Sequence, residues 1–89
     1  MIEKTYKITS PEGLHARPAS ALVSAVSPFS AEVKLGYKDK QVNMKSIMGV
    51  MSLGIAQGGE IQISADGSDE EALMAKVEDL LVSQSIAQA

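Results

Sequence analysis

Two apolar periodicities alternate along these 89 residues, and their order restricts the fold more than any other feature of the sequence. Apolar residues at every second position predict half-buried strands, and apolar residues at i, i+3, i+4 and i+7 predict amphipathic helices. The predicted strands lie at about 2–8, 31–35, 41–43 and 61–65. The predicted helices lie at about 16–27, at 47–53 and, after Ser68, over the stretch that carries Leu73, Val77, Leu80 and Leu81.

The resulting order is β-α-β-β-α-β-α. Antiparallel strands whose helices gather on one face form an α+β open sandwich. The length suits one small domain, so we expect a single domain over residues 1–89. Some RNA-binding domains have a similar order, but they need exposed aromatic residues on their central strands. The polar faces here carry Glu32, Lys34, Gln62 and Ser64 instead.

Residues that start and stop helices support these boundaries. Pro28 cannot continue the first helix. Ser46 is a natural N-cap for the second helix, and Gly54 is placed to end it. Ser68 and Glu71 have the spacing of a capping box for the third helix.

Two segments outside these elements have weaker patterns. Residues 36–40 are predicted to turn the chain between the second and third strands. Lys38 and Asp39 do not take a positive φ as cheaply as glycine or asparagine, so they do not favour a tight hairpin. Residues 85–89 are predicted to fray.

Composition excludes several classes of site and partner. The chain has no cysteine and one histidine, which excludes a disulfide framework and a thiolate or histidine-rich metal site; we expect no metal and no cofactor. The net charge of −3 and the few aromatic residues argue against nucleic acid. No apolar run approaches the roughly 18 residues of a membrane span, and residues 1–5 lack the apolar core of a signal peptide. We therefore expect a cytoplasmic protein that does not bind membranes.

His15, the one histidine, lies where the first long helix begins. Pro18 follows it, and proline is favoured in the first turn of a helix. Free backbone N–H groups and the positive end of the helix dipole favour an anion there, and Arg17 adds a planar cation that suits phosphate. Because a neutral imidazole is a nucleophile near neutral pH, the combination indicates a histidine that carries a phosphoryl group. A histidine without a special role is the alternative that these features leave open.

Two segments carry a resemblance to a known family. Residues 13–19, Gly-Leu-His-Ala-Arg-Pro-Ala, resemble the active-site signature of HPr, the histidine-containing phosphocarrier of the bacterial sugar phosphotransferase system. Residues 42–54, Val-Asn-Met-Lys-Ser-Ile-Met-Gly-Val-Met-Ser-Leu-Gly, resemble that family's regulatory-serine segment. The resemblance extends from Glu3 to about Leu81. It implies an HPr-like open-faced sandwich, with a four-stranded antiparallel sheet in the order 1-4-2-3 and three helices on one face.

The resemblance also implies roles for the residues of the first motif. His15 would accept a phosphoryl group on Nδ1 from phospho-enzyme I, whose source is phosphoenolpyruvate, and pass it to enzyme IIA domains. Arg17 would stabilise the phosphoryl group, and Pro18 would shape the helix start. The protein would be a monomeric phosphocarrier rather than an enzyme. Glu12 departs from the small polar residue expected before this motif, and a carboxylate there would repel phosphate.

The second motif implies regulation. Ser46 would be phosphorylated by the HPr kinase/phosphorylase, and the phosphorylated protein would bind catabolite control protein A; an ordinary N-cap is the plainer interpretation. Val50 and Leu53 can fill the core face of this short helix. The remaining apolar residues are then expected to be partly exposed and, with a serine of the first helix, to form a docking surface of Ser20, Ile47, Met48 and Met51.

Three alternatives to the phosphocarrier interpretation stay open. A regulatory HPr-like protein would act mainly through phospho-Ser46, but the known paralogue of that type lacks the histidine. A carrier of the nitrogen-type phosphotransferase system is the second alternative, although its serine region would be less similar to residues 42–54. A plain α+β binding module would use neither residue.

Overall fold

The structure, a computed structural model, describes residues 1–88. Its elements are, in chain order, β1 (Ile2–Ile8), α1 (Ala16–Val26), β2 (Glu32–Tyr37), β3 (Lys40–Asn43), α2 (Ile47–Ser52), β4 (Glu60–Asp66), α3 (Glu70–Ser83) and β5 (Ala87–Gln88). The sheet is antiparallel in the order β3-β2-β4-β1-β5. The predicted open sandwich and the order of the first four strands are confirmed.

One hydrophobic core lies between the sheet and the three helices. Alternate residues of the strands point into it, while their neighbours stay exposed, because successive side chains of a strand face opposite ways. On α3, Leu73, Val77 and Leu81 are buried as predicted, whereas Leu80 is half-buried and Met74 completes the buried face. Within residues 1–88, no helix is both long and apolar enough to cross a membrane.

The sheet has a fifth strand where the sequence predicted fraying. Ile86 and Ala87 are buried, and Ala87 pairs with Ile8 of β1. The Ile86 carbonyl accepts hydrogen bonds from the N–H groups of Thr9 and Ser10, at 2.9 and 3.2 Å. The prediction of a frayed end is therefore wrong for residues 85–88, and residue 89 lies outside the described residues.

The β2–β3 connection is tighter than the sequence predicted. Tyr37 pairs with Lys40, so only Lys38 and Asp39 lie between the strands. Lys38 takes a positive φ of 56°, the conformation that disfavours a residue with a Cβ. Its ammonium lies 5.3 Å from the centre of the Tyr37 ring, and this cation–π contact offsets part of that cost.

The predicted capping box of α3 is also wrong. The N-cap is Asp69 rather than Ser68. The Asp69 side chain makes no capping hydrogen bond, and the Glu70 carboxylate accepts the Gly67 N–H at 3.1 Å, so the reciprocal pair of a capping box does not form. The sequence pattern therefore identified the helix start but placed its cap one residue early.

Asp69 connects α3 to the loop that follows α1. Its carboxylate accepts the N–H groups of Ser30 at 2.9 Å and Ala31 at 2.8 Å. The hydrogen bond from Ser30 is the main reason why the pKa of Asp69 lies below its ordinary value, and the bond from Ala31 adds to it. This contact fixes the start of β2 against the helix layer.

Candidate functional site

His15 is the N-cap of α1, as predicted. Its backbone is extended, with φ −84° and ψ −171°, and its side chain makes no capping hydrogen bond. The His15 carbonyl accepts the Ala19 N–H at 3.0 Å, whereas the N–H groups of Ala16 and Arg17 have no acceptor within residues 1–88. The positive end of the helix is therefore open beside the imidazole.

The backbone before His15 is held by the loop that follows α2. The Leu14 N–H donates to the Ile55 carbonyl at 3.0 Å, and the Leu14 side chain is buried. Gly13 has a φ of 71°, and a Cβ on it would lie only 2.3 Å from the Ile55 oxygen. Only glycine fits this position, so residues 13 and 14 place His15 with little freedom.

The imidazole of His15 has an acceptor near each ring nitrogen. The side chain is 38% exposed, and Nε2 lies 3.8 Å from Oε2 of Glu12. Nδ1 lies 3.3 Å from the Gly13 carbonyl oxygen, which can accept a hydrogen bond when Nδ1 carries the proton. Each ring nitrogen therefore lies near a group that can select a tautomer.

A cavity of about 200 Å³ brings three of the predicted site residues together. Its lining comprises Ser10, Glu12, His15, Arg17, Pro18, Gln84 and Ile86. Ser10, Gln84 and Ile86 were not predicted, because the segment after α3 docks on β1 and on Ser10 instead of fraying. The isolated apolar Ile86 after α3 is the signal that would have indicated a docked C-terminal segment.

Arg17 and Pro18 differ in burial, although both lie in the first turn of α1. Arg17 is exposed, and within residues 1–88 no carboxylate lies within ion-pair distance of its guanidinium. Pro18 is buried and has no N–H that would need an acceptor. Arg17 is therefore available to an external anion, while Pro18 packs the helix start onto the core.

Ser46 is the N-cap of α2, as predicted. Its Oγ accepts the Gly49 N–H at 3.1 Å, and the residue is exposed. The neighbouring Lys45 is directed away from it, because the Lys45 ammonium donates to the Phe29 carbonyl at 2.6 Å. The Ser46 hydroxyl thus closes its own helix and remains accessible.

Three apolar side chains of α2 face solvent. The exposed fractions are 36% for Ile47, 81% for Met48 and 42% for Met51, while Val50 and Leu53 are buried. We call Ile47, Met48 and Met51 the α2 apolar patch. Helix α2 packs against α1, on which Ser20 is exposed, but neither the patch nor Ser46 lines the His15 cavity.

The geometry of residues 1–88 offers one candidate centre for covalent chemistry, at His15. Within the part of the chain that the structure describes, no three side chains of His, Cys, Asp or Glu lie close enough to hold a metal ion. The imidazole of His15, the exposed guanidinium of Arg17 and the N–H groups of α1 that lack an acceptor within residues 1–88 suit a phosphoryl group at this position.

Comparison with known proteins identifies the family. The family described as "PTS HPr component phosphorylation site" matches residues 2–83. The histidine-containing phosphocarrier protein of Mycoplasma is 38% identical, with a TM-score of 0.95 over 99% of this chain and 100% of its own. HPr-C-His from Thermoanaerobacter tengcongensis is 45% identical, with a TM-score of 0.89 over 94% of both chains.

A regulatory relative is also similar. Crh, the catabolite repression protein of Bacillus subtilis, is 34% identical, with a TM-score of 0.73 over 94% of this chain and 97% of its own, in a structure described as a domain-swapped dimer. The family match nonetheless covers almost the whole chain and includes His15 and Ser46. The chain therefore belongs to the HPr family, whose members are phosphocarrier proteins of the phosphotransferase system rather than enzymes.

Proposed function

We propose that the chain carries a phosphoryl group on His15, taken from phospho-enzyme I and passed to enzyme IIA domains for sugar uptake. One observation carries this proposal: His15 is the N-cap of a helix whose first N–H groups have no acceptor within residues 1–88, and its imidazole lines the same cavity as Arg17. In this role the chain works as a single-domain monomer of residues 1–89 in the cytoplasm, where its partners act.

The proposed chemistry is an exchange between two histidines. The lone pair of Nδ1 of His15 forms a P–N bond while the P–N bond of the donor histidine breaks, and its electron pair returns to the donor ring. Transfer to enzyme IIA is the same step in the other direction. Phosphoryl transfer depends mostly on positioning and charge stabilisation, which Arg17 and the N–H groups of α1 supply.

We propose further that Ser46 is a regulatory phosphorylation site. A phosphate there brings a charge of about −2 next to the α2 apolar patch. That patch, with Ser20, would dock enzyme I, enzyme IIA domains and the HPr kinase/phosphorylase, because flexible methionines adapt to several surfaces. The phosphorylated form would suit catabolite control protein A as a partner.

A regulatory role through phospho-Ser46 alone is the second candidate. It is favoured by the likeness to Crh and by the exposed hydroxyl of Ser46. The two candidates differ in what they require of His15, since only the carrier needs a reactive imidazole.

Incubation with phosphoenolpyruvate and enzyme I separates the two. The carrier is expected to take up acid-labile, base-stable label on His15, and to lose it when an enzyme IIA domain is added. Absence of label, with the same enzyme I able to load a known HPr, would contradict the carrier proposal.

A further inference from the structure

Glu12 is the one charged residue of the His15 cavity that the proposed function does not use. Its Oε2 lies 3.8 Å from Nε2 of His15, while Nδ1 on the other side of the ring lies 3.3 Å from the Gly13 carbonyl oxygen. A neutral imidazole has one ring proton, so the two acceptors compete for it.

The two acceptors favour different tautomers. A proton on Nδ1 can be donated to the Gly13 carbonyl, but it removes the lone pair with which Nδ1 would attack phosphorus. A proton on Nε2 faces Glu12 and leaves Nδ1 free. A carboxylate is the stronger acceptor because it is charged. The Glu12 side chain is 78% exposed, so rotation about its own bonds can bring it the remaining distance of about 1 Å to a hydrogen bond.

We propose that Glu12 is a positioning residue for phosphoryl transfer, which holds the ring proton of His15 on Nε2. The inference rests on the proposed carrier function. During loading, the Nδ1 lone pair forms the new P–N bond and the proton stays on Nε2, so the phosphorylated ring is a cation that faces the carboxylate. During unloading, the electron pair of the P–N bond returns to Nδ1. The leaving group is then the same neutral tautomer that began the cycle.

Charge repulsion alone would have the opposite consequence. The carboxylate lies in the same cavity as the group that receives the phosphoryl, and like charges repel. If repulsion dominated, removal of Glu12 would make loading faster. If Glu12 selects the tautomer, its removal makes loading slower, so the sign of the change distinguishes the two effects.

The test compares Glu12→Ala and Glu12→Gln with the wild type. Glu71→Ala is the matched control, because it removes one carboxylate from an exposed position in the first turn of α3. Nitrogen-15 NMR of the imidazole, at a pH where the ring is neutral, gives the tautomer ratio. Steady-state loading with phosphoenolpyruvate and enzyme I gives kcat and KM, and thermal melting confirms that each variant folds.

In Glu12→Ala, we expect a larger fraction of the Nδ1–H tautomer. We expect its kcat for loading to fall about two- to fivefold with little change in KM, since an exposed charged contact has only a modest energy. Glu12→Gln keeps an acceptor without the charge and should lie between, while Glu71→Ala should match the wild type. Suppose that the wild type takes label. An unchanged tautomer ratio in both Glu12 variants, or loading that is unchanged or faster in both, would then overturn this inference alone. A wild type that takes no label would overturn the carrier function together with it.

Discussion

The N-termini of α1 and α2 begin in the same way and end up chemically different. His15 and Ser46 both cap a helix from extended backbone. The Ser46 hydroxyl accepts the Gly49 N–H of its own helix, whereas the His15 side chain accepts none and leaves the N–H groups of its helix without an acceptor within residues 1–88. A cap that satisfies its own helix stabilises the fold, and a cap that does not leaves donors for an anion.

Replacement of His15, the N-cap of α1, tests its proposed role as phosphoryl acceptor and has the largest expected effect on phosphorylation. His15→Ala should take no label from phosphoenolpyruvate and enzyme I. Its free energy of unfolding should stay within about 1 kcal/mol of the wild type, because no capping hydrogen bond is lost. Label that persists in the variant would show that His15 is not the acceptor.

A single methyl group added to Gly13, in the loop that positions His15, should lower the stability of the fold. Gly13→Ala combines a positive φ with a contact of 2.3 Å to the Ile55 oxygen, and we expect a loss of about 2–5 kcal/mol in the free energy of unfolding. Gly54→Ala is the matched control, since Gly54 also has a positive φ but nothing within 4 Å of an added Cβ. Its loss should be about 1 kcal/mol. Equal urea midpoints for the two variants would mean that the Ile55 contact is unimportant.

Arg17 is expected to affect transfer and not the fold. Arg17→Ala should lower the rate of transfer to an enzyme IIA domain about tenfold or more, since a charged donor to the phosphoryl group is removed. Its stability should stay within about 1 kcal/mol, because the guanidinium is exposed. A large loss of stability with unchanged transfer would reverse the assignment.

A negative charge at Ser46, whose hydroxyl caps its own helix, should weaken association with enzyme I. Ser46→Asp keeps an acceptor at the N-cap, so the fold should remain intact. It should raise the KM for enzyme I more than it lowers kcat, and the effect should shrink at high salt because exposed charges are screened. It mimics phosphate only in part, since it adds about one negative charge instead of nearly two.

Ser46→Ala provides the control. Its free energy of unfolding should fall by about 0.5–2 kcal/mol, and its KM for enzyme I should be unchanged. If KM is unchanged in Ser46→Asp at both salt concentrations, Ser46 is only a helix cap.

The third N-cap residue, Asp69, should show the smallest effect on stability, and this effect should change with pH only in the acid range. Its pKa is lowered in the folded protein from an ordinary value of 3.8, so its contribution to stability is present above about pH 4. That contribution is lost as the pH falls through the lower, folded value. The difference in free energy of unfolding between the wild type and Asp69→Asn should therefore narrow from pH 5 towards pH 2. A constant difference in urea titrations over that range would assign the effect to something other than this carboxylate.

Structural features that depend on neighbouring residues could be predicted from the sequence. Features that depend on contacts between segments far apart in the sequence could not. The N-cap positions of His15 and Ser46 follow from residues within one helical turn of each, so both could be predicted. The cap of α3 was misplaced because the Asp69 carboxylate is committed to Ser30 and Ala31, far away in sequence. The participation of Gln84 in the His15 cavity depends on the pairing of Ala87 with Ile8, which no local pattern indicates.

The hydrogen bonds of Ile86 have a practical consequence for protein production. Its carbonyl holds the N–H groups of Thr9 and Ser10, and Ser10 in turn accepts the Gly13 N–H. A shortened gene product that stops before Ile86 would thus loosen the backbone leading to His15 without touching the phosphorylated residue.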